Sequence, residues 1–140
     1  MISKALIALT IALSVVSVGT VKAESDVYNI LGYDVSYEIE NGEIIAMDLD
    51  QSFTSLTVEI VSYDDGFVDI SIPRGLLDAI FDETDDIFYV SIDGTESDYI
   101  EIDSDDSTRI LIVPFFINNQ EIEILSTEVL SASLHKFRPG

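Results

Sequence analysis

Tyr33-Asp34-Val35-Ser36-Tyr37-Glu38-Ile39-Glu40 alternates apolar and polar residues without a break. A period of two puts Tyr33, Val35, Tyr37 and Ile39 on one face of an extended chain and the polar residues on the other. The stretch therefore reads as a strand with one dry face and one wet face. Asn41-Gly42 follows, a dipeptide suited to the two positive-φ positions of a type I′ hairpin turn. The same alternation returns at Ile45, Met47 and Leu49, and again at Leu56, Val58 and Ile60. Asp64-Asp65-Gly66 reads as a second tight turn, leading into Val68, Ile70 and Ile72.

Pro73 interrupts this pattern because it donates no backbone hydrogen bond. Over residues 74–81 the apolar residues Leu76, Leu77 and Ile80 fall on one side at helical spacing, which predicts a short helix. Strands resume at Phe88, Val90 and Ile92, then at 99–102, 109–115 and 120–125, with turns at Asp93-Gly94 and Asn118-Asn119. About eight short strands joined by turns predict an all-β fold, an antiparallel β-sandwich of immunoglobulin-like or jelly-roll-like build. A small closed barrel is the competing architecture. Most aromatic rings, including Tyr33, Tyr37, Phe88 and Phe115, fall on the dry face and read as core, whereas Tyr63 and Tyr89 read as exposed.

Outward from this body lie two different ends. Met1 to Lys4 is a cationic start, Ala5 to Val18 an apolar run, and Gly19-Thr20-Val21-Lys22-Ala23 a small-residue cleavage region. Residues 1–23 therefore read as a signal peptide in helical form. A retained anchor is the alternative, although the run is shorter than the ~20 residues a spanning helix needs. A pilin-type leader cut near Lys4-Ala5 is another. The expected organisation is 1–23 signal peptide, 24–32 arm or first strand, 33–127 sandwich domain and 128–140 tail. Val27 to Leu31 and Glu128 to Leu134 are candidate donor strands for pairing between copies.

The chain of 140 residues carries 27 Asp and Glu against 6 Lys and Arg, a formal net charge of −21. Nucleic-acid binding needs clustered cations, so it is excluded as an expected function. Docking on anionic lipid is disfavoured for the same reason, and no membrane association is expected once a signal is removed. With Lys4 and Lys22 gone, Arg74, Arg109, Lys136 and Arg138 face all 27 acids. There is no cysteine, and His135 in the tail is the one histidine. Thiol chemistry and a serine triad thus lack their parts, and the expectation is that the protein is not an enzyme.

Two acidic stretches point to divalent-cation chemistry. Asp82, Glu83, Asp85 and Asp86, and Asp103, Asp105 and Asp106, gather carboxylates in expected loops. Calcium takes six to eight oxygen ligands from such groups, so these residues are the candidate metal ligands and calcium the candidate cofactor. Neither stretch has EF-hand spacing. The alternative is a solvated acidic loop with diffuse counterions. Arg74 and Arg109 are the cations of the folded body, and internal ion pairs are expected for both. Arg74 would pair with Asp78 one helical turn away, and Arg109 with a cross-strand acid.

The strand ending in Ile72-Pro73-Arg74, then Gly75-Leu76-Leu77-Asp78-Ala79, then Asp85-Asp86-Ile87-Phe88-Tyr89-Val90-Ser91-Ile92-Asp93-Gly94, resembles small secreted acidic β-sandwich proteins of ammonia-oxidising archaea. Tyr33-Asp34-Val35, Asn41-Gly42 and Gln120-Glu121-Ile122-Glu123-Ile124 extend the resemblance over most of residues 33–127. What it implies is an archaeal origin, a secreted or cell-surface location and a sandwich fold, without an activity. The functional expectation is a non-catalytic extracellular structural or adhesion module assisted by divalent cations. Its partners would be other envelope proteins or itself. Two rivals remain: a fibre subunit assembling by strand donation, and an extracellular protein that binds cations or small solutes.

Overall fold

The computed structural model describes residues 23–126. Residues 1–22 of the expected signal peptide and the whole of the expected tail, His135 included, lie outside the described residues. Two long strands organise what is described: β2 (Tyr33–Asp50) and β3 (Ser55–Pro73), preceded by β1 (Ala23–Ile30). Short strands follow as β4 (Ile80–Phe81), β5 (Thr84–Asp85), β6 (Tyr89–Ile92), β7 (Thr95–Glu96) and β8 (Ile100–Glu101). The longer β9 (Thr108–Phe115) and β10 (Glu121–Leu125) complete the set. Every pairing among them is antiparallel.

The long β2–β3 ladder serves two wings. Residues 36–40 of β2 pair with 67–71 of β3, flanked by β1 on one side and by β9 and β8 on the other. Residues 42–50 of β2 pair with 55–62 of β3, which continues into β10, β6 and β7. Side chains from both wings meet in one buried cluster: Val35, Ile39, Ile70, Leu111 and Val113 from the first, Leu56, Val58, Val90, Ile122 and Ile124 from the second. Each such aliphatic side chain removed from water contributes about 1.5–3 kcal/mol, which makes this cluster the main source of stability. The result is an all-β, sandwich-like fold.

The two segments read as hairpin turns are instead the place where the ladder bends. Asn41 has the positive φ (65°) that the turn reading required, but the chain continues in strand through Gly42. Register passes from Glu40 opposite Phe67 to Gly42 opposite Ser62, so residues 63–66 bulge out against Asn41 alone. A second irregularity leaves Ile45 unpaired between Ile44 and Ala46. Bulges bend a strand and increase its twist, which lets one ladder feed both wings. The glycines are needed for close approach. A Cβ on Gly66 would lie 1.9 Å from the Glu40 carbonyl oxygen, and one on Gly42 would lie 2.7 Å from that of Val61.

True tight turns sit elsewhere. Leu31-Gly32, Asp82-Glu83 and Asp93-Gly94 each have both central residues at positive φ, as a type I′ hairpin requires, and they join β1–β2, β4–β5 and β6–β7. The expected helix over 74–81 is also replaced. Leu76 and Leu77 both donate to the Pro73 carbonyl in a single turn, and the chain re-enters a strand at Ile80. A helix of that length would nucleate at a cost that one turn's hydrogen bonds do not repay. The turn still buries Leu76, Leu77 and Ala79. Tyr33, expected in the core, is 40% exposed, because it stands at the first position of β2 with its ring over Gly75.

Candidate functional site

Arg109 begins the parity that continues inward as Leu111, Val113 and Phe115, and it is 1% exposed. A buried guanidinium is tolerable only when its donors are satisfied and its charge is matched. Nε and Nη2 both reach the Glu101 carboxylate on the neighbouring strand β8. Nη1 donates to Asp78 Oδ1 (2.8 Å) and to the Ala79 carbonyl (2.9 Å), and Nη2 also donates to the Asp86 carbonyl (2.8 Å). These bonds use all five N–H groups of the guanidinium. The Phe88 ring lies 4.7 Å below its centre, in cation–π contact.

Arg74 extends this arrangement to the surface. It holds Asp85 through both terminal nitrogens (2.8 and 3.0 Å), contacts Asp78 at 3.2 Å, and donates from Nε to the Asp105 carbonyl (2.8 Å). Both expected ion-pair types are therefore present, Arg74 with Asp78 and Arg109 with an acid across the strand pair. The two arginines clasp the turn after β3, the β4–β5 hairpin, β8, and the loop from β8 to β9. Hydrogen bonds from Arg74 hold the Asp85 carboxyl below its ordinary range, and hydrogen bonds from Arg109 do the same for Glu101. Burial works against the charge on Arg109, and its bonds to Glu101 and Asp78 outweigh that.

The candidate metal ligands are distributed by this clasp. Asp82 and Glu83 form the exposed tip of the β4–β5 hairpin. Asp85 faces Arg74, while the Asp86 carboxylate accepts from the backbone of Ile87 and its amide donates to the Ala79 carbonyl. In the second stretch Asp103 takes a positive-φ turn position and Asp106 is exposed. Asp105 folds its carboxylate onto the amides of Ser107 and Thr108 and the Ser107 hydroxyl, which lowers its pKa. Among the described residues no three acidic or histidine side chains converge as a metal-holding group. The sequence reading missed Glu101, although the shared parity of Arg109 with Leu111 and Val113 already placed a cation inside that needed such a partner.

At the other end of β10 the chain builds a groove of about 430 Å³ between the β6–β7 hairpin and the end of β9. Ile92, Pro114 and Phe116 supply its apolar lining, and Asp93, Glu96 and Asp98 its acid. Phe116 is 69% exposed. Asp93 is held in place, accepting from the amides of Gln120 and Glu121 and from the Asn119 side chain.

No protein-family model matches the chain, and no curated protein or solved structure matches it either.

Proposed function

We propose that the protein is an exported, non-catalytic surface module that works by contact with other envelope components. The wings are taken as the two layers of a β-sandwich. The observation that supports this reading is the distribution of side chains: both arginines of the body are consumed internally, while acids and large apolar residues face outward together. Phe53, Phe81, Ile87, Phe116 and Ile117 are each more than half exposed, and all sit on or beside connecting segments at the strand ends. Exposed apolar groups beside polar surface are the usual chemistry of protein contacts. Divalent cations enter this proposal as counterions across the acidic faces, where Glu59 lies directly opposite Glu121 and Glu38 opposite Asp69.

Fractionation of cells producing the full chain tests it. The expected result is a shortened chain in the envelope or medium fraction, associated with other envelope proteins in a way that chelation weakens. Recovery of the uncut chain inside the cell would overturn the reading. In the fibre alternative β1, which contains Val27, is paired with β2 of its own sheet and stands at the sheet's edge. Glu24 and Asp26, both exposed, stand opposite Ile39 and Tyr37 on this edge strand.

A further inference from the structure

We infer that the outward face of β9 docks an amphipathic helix of a partner protein, one whose apolar stripe is bordered by lysine or arginine. The parity that sends Arg109, Leu111, Val113 and Phe115 inward sends Ile110, Ile112 and Pro114 outward, and Phe116 lines the groove beside Pro114. Ile100 and Ile102 widen this track from the edge strand β8. Ile100 pairs with Ile112, and the Ile102 amide donates to the Ile110 carbonyl. Ile100 is 59% exposed and Phe116 69%, so the track is open to solvent. The six residue steps from Ile110 to Phe116, at ~3.4 Å each, make it about 20 Å long. A helix of about thirteen residues spans that length. Contiguous exposed apolar surface edged by polar groups marks a contact site. A helix laid along such a track is anchored by apolar residues at i, i+3, i+4 and i+7.

Charge selects the occupant. The row that holds Ile100 and Ile112 continues across the sheet into Asp69 and then Glu38, like charges directly opposite each other on β3 and β2. Burial and then Glu38 raise the pKa of Asp69, a strain that a positive charge beside it relieves. At the far end of the track, Glu96 and Asp98 stand exposed around the groove that Phe116 lines. Residues 23–126 have no cation to offer these acids, since Arg74 and Arg109 are both engaged inside the clasp. The same face of a second copy would bring acid against acid. Lysine or arginine flanking an apolar stripe meets the acids beside the track instead. Docking here presupposes the contact function proposed above and gives it a surface and a partner chemistry. Fractionation reads where the chain goes, whereas the titration below reads purified protein, so the two can fail separately.

Calorimetric titration of the purified chain tests this. The probe is a synthetic helix of about fourteen residues, built of leucine, alanine and lysine, with a leucine stripe bordered by lysines. A scrambled peptide of the same composition and charge lacks the stripe. The striped peptide should bind about tenfold more tightly than the scrambled one. Ile100→Thr/Ile112→Thr should abolish that difference. Both positions lie outside the buried cluster and keep a β-branched side chain, so folding is spared. Phe116→Ala, at the other end of the track, should narrow the difference independently. Glu38→Gln/Asp69→Asn should weaken the striped peptide by about threefold, as loss of surface ion pairs does. Equal affinity for the two peptides, or binding indifferent to Ile100→Thr/Ile112→Thr, overturns the inference. So does self-association that this variant abolishes, since that assigns the track to a second copy. Binding that appears only once residues 127–140 are removed overturns it too, by assigning the track to the chain's own end.

Discussion

The two ends of the molecule are held by different physics. At the clasp end, Arg74 and Arg109 gather Asp78, Asp85, Glu101 and the backbone of two acidic loops into one ionic network. At the bend and groove end the chain is held by backbone proximity, with the Gly66 α-carbon pressed against the Glu40 carbonyl and Asp65 accepting from the Ile117 amide. The first end is organised around two paired cations, the second around close backbone approach and carboxylates that accept from backbone amides. A highly acidic chain can therefore fold without neutralising its surface, provided that its few cations are placed where acids would otherwise be buried alone.

The sharpest way to break this division is Arg109→Met. It removes the charge but keeps an unbranched apolar stem, and five acceptor atoms each lose a donor: both oxygens of Glu101, Asp78 Oδ1 and the carbonyls of Ala79 and Asp86. Breaking a buried pair from one side costs about 3–5 kcal/mol, a large share of the stability of a small domain. Urea unfolding should show the midpoint falling with the slope unchanged. Arg109→Lys should recover little of the loss, because an ammonium has three donors and no planar fork. A loss below about 1 kcal/mol would place the stability of this end in its packing instead.

Gly66→Ala is the matching test at the other end. Its Cβ would meet a backbone oxygen at 1.9 Å, so the ladder itself must move. Overpacking of this kind costs about 1–3 kcal/mol. The change should perturb amide signals of residues 40–45 and 115–120 while leaving those of the clasp in place. Perturbation spread evenly over both ends would mean that the two are not independent.

These two residues also mark how far the fold was legible. Alternation identified the strands and the all-β class because one dry face imposes a period of two wherever it occurs. The same rule placed Arg109 inside, had its parity been followed. What alternation cannot see is whether Asn-Gly reverses the chain or bends it. Asn41 takes a positive φ in either case, and only the tertiary position of Gly66 against Glu40 decides. Leu31-Gly32 reverses the chain although leucine is a poor residue for that conformation, because β1 and β2 pair on either side of it. The acidic stretches were visible as composition, but their use as arginine partners depended on loops converging from distant parts of the chain.

Acid should separate the clasp from the outward sheet face by sign. Asp85, Glu101 and Asp105 have folded-state pKa values below their ordinary ones, so their stabilisation is complete above the ordinary carboxylate range and is lost as pH falls through the lowered values. Asp69 is raised, first by burial and then by Glu38 beside it. An acid raised on folding opposes the fold at neutral pH, and that opposition is relieved as pH falls through its raised value. Melting temperature should therefore rise slightly from neutral toward mildly acid pH and then drop steeply. Asp69→Asn should raise it at pH 7 and flatten the first limb alone. A monotonic decline from neutral pH would show that the sheet faces carry no strain to relieve.

The smallest expected effect concerns divalent ions. With Asp85 held by Arg74 and Asp105 by its own loop amides, the like-charged pairs that cations can relieve are on the outward sheet faces, Glu59 against Glu121 and Glu38 against Asp69. Screening there reduces repulsion without selecting for ion size. Calcium and magnesium at equal concentration should each raise the melting temperature by only about 1–3 °C, well under 1 kcal/mol, and the two should agree. An ordered calcium site would behave differently, since calcium accepts irregular oxygen ligation that magnesium does not. A calcium response several times larger than that of magnesium, and removed by Asp82→Asn/Glu83→Gln or by Asp103→Asn/Asp106→Asn, would locate such a site in one acidic loop and make the clasp end a ligand-binding end as well.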